Sequence, residues 1–170
     1  MDYGMPTLIE LETLEDTMKL SKELSLQFIE LNMNMPQYQL ESVRDTTHFK
    51  QLKESFHIYY TVHLDENLNV CDFNPLVRNA YLETVKRTID FGLKLNIPIL
   101  NMHMNHGVHF TLPDKKVKLF EKYKEDYLKG MEAFQEMCVH EIGTEHMQIC
   151  IENTDGFLEY EKEAIQMPMN

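Results

Sequence analysis

A chain of 170 residues is one domain by length, long enough to bury about 70% of its unfolded surface in a single core, so two full domains are excluded. Sixteen Lys and Arg against 28 Asp and Glu give a net charge of −12, which repels a phosphate backbone and makes nucleic acid an unexpected partner. A hydrophobic content of 43%, with 26% charged residues and only 6 Gly and 6 Pro, excludes disorder and fibrous repeats.

Met1 to Glu10 is acidic rather than basic, unlike a secretory start, and no apolar run approaches the ~18 residues that spanning a bilayer requires. The cytoplasm is the expected compartment, with no membrane partner. Cys71, Cys138 and Cys150 are an odd number at wide spacings with no Cys-x-x-Cys, so they read as reduced structural thiols rather than a disulfide framework or zinc ribbon.

Gly4 to Ile9 is the first short apolar run. Thr13 followed three residues later by Asp16 resembles a capping box, which predicts a helix from about Leu14 to Leu24. Gln27 to Met33 alternates in the manner of a strand until Pro36, and Glu41 to Phe56 reads as a second helix. Ile58 to Leu64 is rich in β-branched and aromatic residues and too short for an ordinary helix, so it is a third strand. A loop rich in Asn and Asp leads to Pro75. Asn79 to Leu95 has apolar residues at helical spacing, and Ile97 to Met104 is a fourth strand with Pro98 at its tolerant beginning. A polar loop with Gly107 and Pro113 then precedes a long helix predicted over Val117 to His140. Met147 to Asn153 is the fifth strand, and a fifth helix is predicted over Tyr160 to Met167.

Five strands alternating with five helices predict an α/β protein with a parallel sheet, because each interval of roughly 20 to 50 residues between strands holds a crossover helix. Two architectures fit: an open doubly wound sheet, or a (β/α) barrel, which normally needs eight strands and about 250 residues. Neither Gly-x-Gly-x-x-Gly nor Gly-x-x-x-x-Gly-Lys follows the first strand, so nothing supports nucleotide binding.

His63, His103 and Glu152 close the third, fourth and fifth strands. In a parallel α/β sheet the carboxyl ends of the strands line the ligand face, so successive strands bring these side chains to one rim. Two imidazoles and a carboxylate suit a catalytic zinc or manganese ion with an open position for water or substrate.

Val62-His63-Leu64, Asp72-Phe73-Asn74-Pro75, Leu100-Asn101-Met102-His103 and Ile149-Cys150-Ile151-Glu152-Asn153, in that order, resemble the xylose-isomerase-like TIM barrels. That superfamily holds sugar isomerases and epimerases, inosose dehydratases and apurinic-site endonucleases. The resemblance covers essentially the whole chain as strands one to five, and implies one partial (β/α) barrel domain over residues 1–170. It implies a divalent metal (zinc, manganese or magnesium) held partly by Glu152, with His63 and His103 ligating metal or contacting substrate hydroxyls. Glu152 is also implied as the acid or base at the substrate carbon. The remaining family ligands, normally Asp, His and Glu, come from strands six to eight, which this chain is expected to lack, so low metal affinity and little turnover are expected.

Glu30 stands where the family often has an inward-facing acid, a substrate contact or a partner in an internal ion pair. Asn74 resembles an Asn that shapes the rim, and equally suits a turn. His106 and His109 read as solvated loop residues, and the 12 methionines as core filler.

The function these readings favour is a sugar isomerase or epimerase moving a proton beside a ketose or aldose carbonyl with metal assistance. An inactive barrel fragment or binding protein is the second reading, and a metal-dependent apurinic-site endonuclease the third. A half-open barrel also exposes strand edges, so a homo-oligomer covering the open sides is expected.

Overall fold

The structure is a computed structural model that describes residues 1–153 and 156–167. Its central sheet has five parallel strands, β1 (Gly4–Pro6), β2 (Phe28–Asn32), β3 (Tyr59–His63), β4 (Ile99–His103) and β7 (Gln148–Glu152). They lie in the order β1-β2-β3-β4-β7, so each crossover steps to the next strand in the same direction. Right-handed crossovers of that kind put every helix on one side of the sheet. This is the progression of a barrel and excludes the doubly wound alternative.

The crossovers run through α1 (Leu14–Glu23), α2 (Thr47–Phe56), α3 (Pro75–Leu95), and the pair α4 (Leu119–Lys122) and α5 (Lys124–Ile142). The last helix, α6 (Glu159–Ile165), follows β7. Alternation along the strands divides the two faces. Ile29, Leu31, Tyr60, Val62, Leu100 and Met102 are buried against the helices, among them Met18, Val85, Ile89 and Met131. Full burial of one such side chain is worth about 1.5–3 kcal/mol. Glu30, Asn32, Asn101, His103 and Cys150 occupy the intervening positions and are half-buried or exposed. The helical side therefore supplies the core, and the other face is a polar concavity.

Thr13 caps α1 as its spacing predicts, accepting the Asp16 N–H at 3.1 Å while its hydroxyl donates to Asp16 Oδ2 at 2.6 Å. The second helix begins at Thr47, not Glu41, because a 3-10 turn (Pro36–Tyr38) and an Asp45 side chain that accepts the Thr47 N–H at 2.9 Å hold the chain in turns until then. The third begins at Pro75 rather than Asn79, since proline at the first helical position needs no hydrogen-bond partner.

The largest departure follows β4. In place of a polar loop and one long helix from Val117, an antiparallel hairpin forms from β5 (His109–Thr111) and β6 (Lys116–Lys118), and the helix breaks at Tyr123. Gly107 turns the chain into this hairpin with φ +68°, and a Cβ there would lie 2.6 Å from the Phe120 ring. Cys71 and Cys138 are buried as structural thiols should be, and burial pushes both up to about 12. Cys150 departs from that reading, being exposed on the concave face. No helix among the described residues is long and apolar enough to cross a membrane.

Candidate functional site

Register sets the levels of the concavity. Asn32 pairs with His63, His63 with Asn101, and Asn101 with Cys150, making one level. His103 pairs with Glu152 one inward position above it, and Glu30 pairs with Thr61 one below. Three strand ends thus deliver His63, His103 and Glu152 to one place, with their ligating atoms all within 4.8 Å of one another.

The hydrogen bonds fix the roles of the ring nitrogens. His63 Nδ1 lies 2.8 Å from the Leu64 carbonyl, which can only accept, so Nδ1 carries the proton and Nε2 keeps a lone pair. His103 Nε2 lies 3.1 Å from that lone pair and 3.1 Å from Glu152 Oε2, so a proton on His103 Nε2 serves both. Glu152 Oε1 is 3.7 Å from His63 Nε2 and accepts from the Asn101 amide. His63 is buried, whereas the His103 and Glu152 side chains are 27% and 32% exposed, so the cluster opens to solvent on one side.

The donor set suits a divalent ion of the zinc or manganese kind. Ligand atoms about 2.0–2.2 Å from a common ion stand roughly 3.3 Å apart in a tetrahedron, and here the two imidazole Nε2 atoms are 3.1 Å apart and His103 Nε2 is 3.1 Å from Glu152 Oε2. The Leu64 carbonyl holds one imidazole and Asn101 holds the carboxylate, the outer support that metal ligands need.

Glu30 is half-buried one level below His63. Burial holds its carboxyl above the ordinary value and the Glu152 charge adds to the rise, while His63 and Asn101 oppose it. Thr61 is buried, and its hydroxyl has no protein partner among the described residues. Asn74 stands outside the cluster on the cap of α3, accepting the Leu76 N–H at 3.1 Å. His106 is an exposed loop residue, as expected, and its Nδ1 also lies 2.6 Å from Oε1 of the buried Glu161. His109 is exposed on β5.

Asn101 and Thr61 were given no role by sequence reasoning. The signal for both was alternation, which places Asn101 two residues before His103 and Thr61 two before His63 on the same face.

No family model matches the chain, and no curated protein matches it. Solved structures do. A D-tagatose 3-epimerase-like protein superposes with TM-score 0.69 at 18% identity, covering 92% of this chain and 54% of its own. The 3-keto-D-glucoside 4-epimerase YcjR from E. coli gives 0.68 at 12% identity over 98% and 65%. A xylose isomerase domain protein from Planctomyces limnophilus gives 0.59 at 12% identity over 96% and 59%. The chain thus spans between about half and two thirds of the length of these structures. It carries in part the TIM-barrel fold of these structures, as five parallel strands with the helices that cross between them.

Proposed function

We propose that this chain binds a divalent metal through His63, His103 and Glu152 and takes part in isomerising or epimerising a sugar. The observation that carries the reading is the three-residue cluster at the carboxyl rim, with its outer support from Leu64 and Asn101. The fold is shared with solved D-psicose and D-allulose 3-epimerases and a 3-keto-D-glucoside 4-epimerase.

A bound divalent ion would polarise the sugar carbonyl and so acidify the neighbouring C–H. Glu152 supplies the carboxylate for that proton, with Asn101 on one oxygen fixing its direction. His63 is locked in one tautomer by Leu64 and cannot donate from Nε2, which makes it a ligand rather than an acid. Glu30, whose carboxyl burial holds above its ordinary value, offers a hydrogen-bonding group to a sugar hydroxyl deeper in the concavity. The unpartnered Thr61 hydroxyl lies at the same level. Neutral polyols suit an acidic surface better than a polynucleotide does.

The test is a panel of ketohexoses and a 3-ketoglucoside incubated with manganese-loaded protein and separated by chromatography. Epimer or isomer formation that is lost in Glu152→Gln supports the reading. Manganese binding with no conversion of any sugar would leave a metal-binding protein without this activity.

A further inference from the structure

The loops at the carboxyl ends of β1 and β4 carry opposite charge. Residues 7–13, between β1 and α1, hold Glu10 and Glu12 and neither Lys nor Arg. Glu10 and Glu12 are exposed in the β1–α1 loop, beside Ile9, which is 84% exposed. Residues 109–124 hold Lys115, Lys116, Lys118, Lys122 and Lys124 against Asp114 and Glu121, a net +3 in a chain whose total is −12, which leaves −15 for the rest. Among the described residues Lys124 is the one of these lysines engaged in an ion pair, with Glu163.

The same hairpin carries an uncovered apolar stripe. Val108, Phe110 and Leu112 alternate along β5 and so share a face, and they are 61%, 56% and 43% exposed. Behind them the hairpin region is anchored, with Phe73 edge-on to Phe120 at 5.3 Å and to Tyr123 at 5.8 Å. Three apolar side chains on a fixed basic element, at the mouth of the concavity, form a surface for an acidic, partly apolar partner.

We propose that the partner is a second copy of this chain, docked rim to rim about a two-fold axis. β1 and β4 are three strand spacings apart, about 14 Å, with β2 and β3 between them. An axis perpendicular to the strands and passing between β2 and β3 lays each copy's basic hairpin on the other's acidic β1–α1 loop. Ile9 and the half-buried Leu8 and Leu11 then meet the stripe of Val108, Phe110 and Leu112. The other two-fold arrangement, with β1 facing β1, puts like charges together and is disfavoured. The contact is isologous and made twice, and it sets the two concavities against each other so that each candidate site is shielded by the second copy's loop. This inference rests on charge and exposure and is independent of the sugar reading.

The experiment is the solution mass of the whole chain and of two variants, Lys115→Glu/Lys116→Glu and Glu10→Lys/Glu12→Lys, by light scattering at about 50 µM, with circular dichroism melts to check folding. Every substituted residue is exposed. The parent is expected at twice 20.2 kDa, with self-association weakened by 0.5 M salt through screening. Each variant alone is expected to dimerise at least ~10-fold more weakly, because like charges then face each other. An equimolar mixture of the two should recover the dimer, since acidic hairpin meets basic loop and basic hairpin meets acidic loop. A monomeric parent overturns the proposal, as does a dimer that either variant leaves intact. Folded variants that stay monomeric when mixed also overturn it. If a variant melts early, Lys115→Gln/Lys116→Gln must still weaken the parent's association.

Discussion

His63 Nε2 stands 3.1 Å from His103 Nε2 and has no proton of its own, because His63 Nδ1 donates to the Leu64 carbonyl. The gap between the rings is therefore bridged by the His103 proton. For both Nε2 atoms to face one cation, that proton must leave, most simply to Nδ1 of the same ring. Histidine binds a metal only as the neutral ring, in competition with protons, so metal affinity is expected to fall as pH is lowered. His63→Ala deletes one of three protein ligands and should weaken manganese or zinc at least ~100-fold, beyond the 10–100-fold typical of outer supports. His106→Ala, bound to Glu161 instead, should leave affinity unchanged. Calorimetric titration checks both.

Asn101 acts on the site through Glu152. Its amide donates to Oε1, which leaves Oε2 turned to His103. Asn101→Ala frees the carboxylate to rotate and is expected to lower metal affinity by about 10–100-fold with little change in the melt. Asn101→Asp should lose more, since its charge repels Glu152. Equal affinity in the parent and both variants would remove Asn101 from the site.

Glu30 makes stability depend on pH in a defined direction. Its carboxyl in the folded chain is raised above the ordinary 4.5 by burial first and by Glu152 second. The folded state therefore holds this proton more tightly than the unfolded state does, and that advantage is lost as pH rises through the raised value. Glu30→Gln carries no such charge. The melting temperature of the variant minus that of the parent should increase between pH 4 and pH 7 in scanning calorimetry, and a decrease would contradict the assignment.

At Gly107 a left-handed backbone coincides with a ring 2.6 Å from where a Cβ would be. Gly107→Ala should cost about 1–2 kcal/mol, because both the backbone and Phe120 must give. For a domain of this size that is a drop of roughly 3–6 °C in melting temperature, and the hairpin's amides should exchange faster.

The sheet was legible because each strand is a short β-branched or alternating run between helical stretches, and because three polar residues closed successive runs at His63, His103 and Glu152. Which side the helices take was not legible by composition; it follows from the sequential strand order. The β5–β6 hairpin was missed although Val108 to Leu112 alternates and Pro113-Asp114 turns. Its strands are three residues each and its apolar positions face outward, so no buried face marked them. Asn101 was hidden for another reason: an amide inside an apolar strand motif has no signature until register shows the carboxylate beside it. The pairing of His106 with Glu161 spans 55 residues, and no local pattern encodes it.

The most direct test of the account is solvent-deuterium exchange into a ketohexose, followed by proton NMR with manganese- or zinc-loaded protein in D2O. If Glu152 takes the proton beside the carbonyl, that carbon's proton signal disappears faster than in buffer with metal alone. Glu152→Gln should slow the exchange by at least ~100-fold, within the range general acid–base catalysis supplies. Exchange no faster than metal in buffer across the ketohexoses, or exchange that Glu152→Gln leaves unchanged, would contradict the central claim.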